Sequence, residues 1–126
     1  MVPENYMRLL IVDNDPVMRE VIRGIVARPG DEVVECSDGD EVVSAFTRFN
    51  ADWVLMDIQM ERMNGLAATR SLKSKFPGAH VAILSQYIEE EYRDEARSAG
   101  AEQYLLKDNL SSVRESLLHA PSLMRP

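Results

Sequence analysis

Five short, uninterrupted apolar runs, near residues 9–12, 33–34, 53–56, 81–84 and 104–106, alternate with longer stretches in which apolar residues recur three and four apart. A strand buried on both faces needs apolar side chains at successive positions, whereas a helix lying on a sheet needs them on one side only. The alternation therefore predicts parallel strands covered by helices. With 126 residues, there is room for one such sheet and its core, and little for a second domain.

Local punctuation supports the helices. Asp15 is placed to cap the first, and Pro16 fits its first turn. Val17, Met18, Val21, Ile22, Ile25 and Val26 form its apolar stripe, which stops before Pro29 and Gly30. Val42, Val43, Phe46 and Phe49 mark the second helix, and the third ends near Phe76, Pro77 and Gly78. The fourth, roughly 88–98, carries only Ile88, Tyr92 and Ala96, which predicts the weakest anchoring of the five, and Gly100 is placed to cap it. Leu110, Val113, Leu117 and Leu118 supply the buried face of the fifth. The expected architecture is α/β, a flavodoxin-like doubly wound (βα)5 fold with right-handed crossovers and a five-stranded parallel sheet in the order 2-1-3-4-5. Residues 1–126 read as a single domain with its core at about 8–119, and 120–126 as a loose tail or the start of a linker.

Charge and composition exclude several function classes. A formal net charge of −7 and a pI near 4.8 repel phosphate backbones, so direct nucleic-acid binding is not expected. No apolar stretch approaches the roughly 18 residues that a membrane span needs, and MVPENYMRLL lacks the basic and apolar regions of a secretion signal, which predicts a cytoplasmic location. The single Cys36, in apolar surroundings, reads as a buried structural thiol. His80 and His119 offer no metal-ligand pairing.

The polar residues that follow the strands carry the chemistry. In open parallel sheets ligands bind outside the carboxyl ends of the strands. There the sequence places Asp13 and Asn14, Asp57, Ser85 and Lys107, after strands one, three, four and five. Taken singly, an aspartate after a strand is a turn residue or a cap, a serine the same, and a lysine a solvated charge. Together they are mutually complementary. Two carboxylates and an amide oxygen suit a hard divalent cation such as Mg²⁺, a lysine offsets the remaining charge, and a hydroxyl completes a cradle for a phosphoryl group attacked by a carboxylate.

The segments LLIVDND at 9–15, VLMDIQM at 54–60 with MNG at 63–65, ILS at 83–85 and YLLK at 104–107 jointly resemble the receiver domain of two-component response regulators, over about 8–119. The resemblance implies that Asp57 is the phosphoacceptor, supplied by a sensor histidine kinase or a phosphotransfer protein. It implies that Asp13 and Asn14 occupy the acidic-pair positions and hold Mg²⁺ with Asp57 and the backbone carbonyl of Gln59. Ser85 would bind a phosphoryl oxygen, Lys107 would pair with the phosphoryl group, and Tyr104 would be the aromatic that reorients on activation. The output face would comprise the fourth helix, fifth strand and fifth helix, a candidate homodimer surface. YLLKD resembles receivers that precede a helix-turn-helix DNA-binding domain, which implies transcription regulation through a missing C-terminal domain. Self-phosphorylation and autodephosphorylation at Asp57 would be the only chemistry, without enzymatic turnover.

Four positions depart from the family pattern. Asn14 brings an amide oxygen but no charge, which predicts weak Mg²⁺ binding, although Asp15 is adjacent. Glu61 stands where proline is common and alters loop rigidity more than chemistry. Gln86 replaces a small residue and narrows access to the phosphoryl group, and Asp108 replaces a frequent proline. Asn14 and Gln86 keep open a phosphorylation-independent protein-interaction module. A small phosphatase with an aspartate nucleophile is disfavoured, because Gln59 stands where a second carboxylate would be needed. A nucleotide or flavin site fits poorly, since no glycine-rich loop follows the first strand.

Overall fold

A computed structural model describes residues 6–119, so the segment 120–126 lies outside the described residues. The strands are β1 (Arg8–Val12), β2 (Glu32–Cys36), β3 (Trp53–Met56), β4 (Val81–Ser85) and β5 (Gln103–Leu106). They form one sheet in the order β2-β1-β3-β4-β5, every pair parallel, as the alternating pattern predicts. Between and after them come α1 (Pro16–Val26), α2 (Val42–Phe49), α3 (Gly65–Lys75), α4 (Glu90–Ala99) and α5 (Val113–Leu118).

The continuous apolar runs are explained by burial on both faces. Side chains alternate across a strand, so Leu10, Val12, Val54, Met56, Val81 and Ile83 join one core cluster with Val42, Phe46, Leu66, Leu72 and Ala96 of α2, α3 and α4. Leu9, Ile11, Trp53, Leu55, Ala82 and Leu84 join the other with Ile22 and Val26 of α1 and Val113 and Leu117 of α5. Cys36 is buried in the first cluster, and burial raises its thiol pKa to about 11, as a structural thiol requires.

Three helices differ from the sequence expectation. In α1 only Ile22 and Val26 are buried, while Val17, Val21 and Ile25 are 65 %, 39 % and 41 % exposed. The apolar stripe is wider than the arc the sheet covers. Asp15 caps this helix, Oδ1 accepting the Val17 N–H at 2.9 Å, and Pro16 opens it. Helix α4 starts at Glu90, and Ile88 precedes it at 70 % exposure; burial falls on the small Ala96 and Ala99. Gly100 ends it at φ 108, the left-handed conformation a side chain disfavours. The stretch after β5 is not one helix. A 3-10 segment, Lys107–Ser112, contains non-helical Asn109, and α5 follows; Leu110 and Leu117 nevertheless reach the same core.

Candidate functional site at the carboxyl ends of the strands

Sheet register assembles the site. Val12 is paired with Cys36 on one side and Met56 on the other, so Asp13 and Asp57 leave adjacent strands at the same level. Their backbones are tied there, Asp57 N–H donating to Val12 O at 2.9 Å and Asp13 N–H to Cys36 O at 3.1 Å. On the far side Ser85 pairs with Leu106, which brings Lys107 to the same end of the sheet. The Lys107 ammonium donates to Asp13 Oδ2 and to Asp57 Oδ1, both at 2.9 Å, with 94 and 50 residues separating the partners in sequence.

One ammonium between two carboxylates leaves a net negative centre. Burial lifts the Asp57 carboxyl above its ordinary range; Lys107 opposes this through hydrogen bond and charge, and nearby Asp13 reinforces it. Burial also works against the charge on Lys107, but its hydrogen bonds to Asp13 and Asp57 prevail and raise its pKa, so the lysine stays protonated. Asp13 is 1 % exposed, and its Oδ1 accepts the Asp15 N–H at 2.9 Å.

These groups form one wall of an open cleft of about 440 Å³, where Asn14, Asp15, Gln59 and Glu61 also lie. Met18, Met60, Gln86 and Tyr87 complete the rim. The structure thus brings Asp13, Asn14, Asp57, Gln59 and Lys107 to one cavity. Ser85 and Tyr104 are not among its lining residues. Ser85 is 1 % exposed, and its hydroxyl oxygen accepts the Tyr87 N–H at 3.0 Å. Tyr104 is half-buried between β5 and α4; its hydroxyl donates to Tyr87 O at 2.7 Å, and the Arg93 guanidinium lies 4.7 Å from its ring centroid. Tyr87 stacks on Tyr92 at 4.6 Å, so one loop residue touches Ser85, Tyr104 and α4.

The donor set suits a hard cation. Asp13 and Asp57 bring two carboxylates to the cleft, with Asn14 and Gln59 beside them, and oxygen donors of this kind with residual negative charge would favour a positive ion. Among the described residues no cluster of three His, Cys, Asp or Glu side chains is suited to a metal; Mg²⁺, which keeps several of its waters, would need fewer protein ligands than that. Asp15, whose Oδ1 caps α1, is engaged in holding the helix end.

The sequence reading missed Asp38. It lies on the turn after β2, is 2 % exposed, and accepts three backbone N–H groups, from Arg62 at 2.8 Å, Met63 at 2.8 Å and Asp40 at 3.4 Å. An aspartate before glycine signals a turn, but its two shorter contacts go to backbone groups 24 and 25 residues away, which carry no sequence signature.

Comparison with known proteins identifies the fold and the family. The chain is 38 % identical over 109 residues to the transcriptional regulatory protein DegU of Brevibacillus brevis, covering 85 % of this chain and 46 % of the relative. It spans about half the length of the curated transcriptional regulators it matches. Among solved structures, a LuxR-family two-component response regulator from Aurantimonas superposes with a TM-score of 0.83 at 27 % identity, covering 90 % of this chain and 84 % of that one. The receiver domain of the Arabidopsis thaliana histidine kinase CKI1, in complex with Mg²⁺, superposes with a TM-score of 0.79 at 26 % identity, covering 89 % and 90 %. Among the described residues no helix is long and apolar enough to cross a membrane. Residues 9–118 match the response regulator receiver domain model, and with the β2-β1-β3-β4-β5 sheet and the Asp13–Lys107–Asp57 centre this chain belongs to the receiver-domain family of two-component response regulators.

Proposed function

We propose that Asp57 is the phosphoacceptor of this receiver and takes its phosphoryl group from a sensor histidine kinase or a phosphotransfer protein. The observation that carries this reading is the bridge of Lys107 to both Asp13 and Asp57 at the mouth of an open cleft. A carboxylate oxygen of Asp57 forms a bond to phosphorus while the bond from phosphorus to the donor breaks. That bond is to an imidazole nitrogen in phosphohistidine, which leaves with the electron pair, or to a carboxylate oxygen in acetyl phosphate. Lys107, held protonated, offsets charge on the transferred oxygens, and Asp13 keeps the ammonium in place. Asp13, Asn14, Asp57 and the Gln59 carbonyl would hold Mg²⁺, which supplies further charge neutralisation at the phosphoryl group. The Mg²⁺ complex of the CKI1 receiver is consistent with that assignment. The neutral Asn14 makes the affinity weak.

After transfer, Ser85 gives up the Tyr87 N–H and turns its hydroxyl to a phosphoryl oxygen, and Tyr104, already tied to Tyr87, follows the loop. The surface of α4, β5 and α5 then shifts between two states and serves as output face, with a homodimer as one readout. We assign residues 1–126 to a single receiver whose transcriptional output lies in a C-terminal DNA-binding domain outside this chain; the similarity to a transcriptional regulatory protein supports the transcriptional role. A phosphorylation-independent interaction module is the second reading, favoured by Gln86 on the cleft rim and by the uncharged Asn14.

Intact-mass measurement after treatment with acetyl phosphate and Mg²⁺, with peptide mapping, tests the proposal. One added phosphoryl group on Asp57, absent from Asp57→Asn, is expected. An unmodified wild-type chain, or a label on another residue, refutes it.

A further inference from the structure

The segment between the phosphoacceptor and α3, DIQMERMNG at 57–65, contains no proline, so no ring fixes a backbone angle within it. It nevertheless carries Gln59 into the cleft. Its base is closed by the Gly65 N–H, which donates to Ile58 O at 2.7 Å, and any side chain on Gly65 would collide with Asp57 O. Its far end is held from another part of the chain. Asp38 Oδ2 accepts the Arg62 N–H and Oδ1 the Met63 N–H, each at 2.8 Å. Beside it, a Cβ on Gly39 would collide with Met63 O, so the loop backbone rests directly on the 38–39 peptide.

Capping the 3-10 turn Gly39–Glu41 does not account for this residue by itself. The capping contact, to the Asp40 N–H, is the longest of the three at 3.4 Å, and the two short ones both go to the distant loop. The Arg62 side chain adds ion pairs to Asp40 at 2.7 Å and Glu41 at 3.4 Å, but these groups are 40–59 % exposed and hold the loop weakly. A buried carboxylate accepting backbone N–H groups is a stronger and more directional tie. Burial works against the Asp38 charge, yet the N–H groups of Arg62, Met63 and Asp40 prevail and hold its carboxyl below the ordinary range.

We propose that Asp38 is a positioning residue for the cation end of the phosphorylation site, its carboxylate fixing the 57–65 loop so that Gln59 is presented to the bound ion beside Asp57. The inference rests on the reading of Gln59 as a cation ligand. Groups that orient metal ligands from behind typically change metal affinity by about 10–100-fold when removed. Here one backbone ligand of several is involved, and the expected loss is roughly tenfold.

The test is Mg²⁺ titration by calorimetry of wild type, Asp38→Asn and Asp38→Ala. Amide hydrogen exchange of Arg62 and Met63, and urea unfolding in EDTA, are measured in parallel. Asp38→Ala is expected to bind Mg²⁺ roughly tenfold more weakly, with faster exchange at both amides while the domain remains folded. Asp38→Asn keeps one acceptor oxygen and falls between. Should Asp38→Ala fail to fold, Asp38→Asn and its two amides decide alone. Wild-type Mg²⁺ affinity in a folded variant, or undiminished protection at Arg62 and Met63, overturns the proposal. Wild type that binds Mg²⁺ yet takes no label from acetyl phosphate removes the phosphoacceptor assignment alone, and the titrations still judge Asp38. Wild type that binds no Mg²⁺ overturns both.

Discussion

Replacing Lys107 by methionine would leave Asp13 and Asp57 facing each other with no cation between them. The ammonium is 2.9 Å from each carboxylate, and the side chains of Lys107, Asp13 and Asp57 are 15 %, 2 % and 13 % exposed. With so little water present, the change resembles breaking a buried pair, about 3–5 kcal/mol, more than losing a surface one. The open cleft lets solvent reach one side, which places the expected loss near the lower figure, about 3 kcal/mol. Unfolding entropy of about 2.1 cal/mol/K per residue makes that a fall in Tm of roughly 10 °C for a chain of 126 residues. Its pH dependence has a definite sign. Burial and Asp13 raise the Asp57 pKa, and removing Lys107 deletes the two main opposing effects, so the folded-state value climbs further. A carboxyl with a raised folded pKa favours folding below its unfolded pKa and loses that contribution as pH rises through the folded one. The variant should therefore close part of its deficit on acidification from about pH 7.5 to about pH 5. Urea unfolding without Mg²⁺ at both pH values, on wild type, Lys107→Met and Lys107→Met/Asp57→Asn, measures it. The double variant, with one carboxylate neutralised, is expected to recover much of the loss. A single variant as stable as wild type at the higher pH, or a double variant no better than the single one, would refute the account of this centre.

Two further predictions come from other parts of the molecule. Arg114 donates to Asp31 at 2.6 Å and to Val26 O at 3.2 Å, joining α5 to the chain after α1, and the Asp31 side chain is 1 % exposed. Arg114→Ala should cost about 3–5 kcal/mol by urea unfolding. Burial opposes the Asp31 charge, but Arg114 and the Arg28 and Met7 N–H groups depress its pKa; the stability this supplies holds above the unfolded value and fades as pH falls through the folded one, so Arg114→Ala should flatten the acid limb of the stability curve. Cys36, buried with a thiol pKa near 11, should react with a disulfide reagent at about pH 8 only after urea unfolding; rapid reaction of the native chain would contradict its burial.

Much of the fold was legible because each strand is buried on both sides, which leaves its mark on consecutive residues. Trp53–Met56 is a buried run whose two ends the sequence marks. Helix ends are legible where the signal is local and chemical, as with Asp15, Pro16 and Gly100. Burial departs from the apolar spacing where it depends on distant packing. Val17, Val21 and Ile25 have the spacing of a buried stripe, yet the sheet covers only the row through Ile22 and Val26. Ile88 reads as a helix anchor, but it lies exposed in the segment before α4 begins.

By itself the sequence determined the α/β class, the strand ends and the residue types gathered there, because apolar periodicity and turn chemistry act over a few residues. Only the tertiary structure decided that Lys107 bridges Asp13 and Asp57, that Ser85 and Tyr104 meet at Tyr87 behind the cleft, and that Asp38 holds the loop bearing Gln59. Those relations join residues up to 94 positions apart and depend on strand register and backbone N–H groups. A backbone donor is the same whichever side chain follows it, so its partner can be known only once the chain has closed on itself.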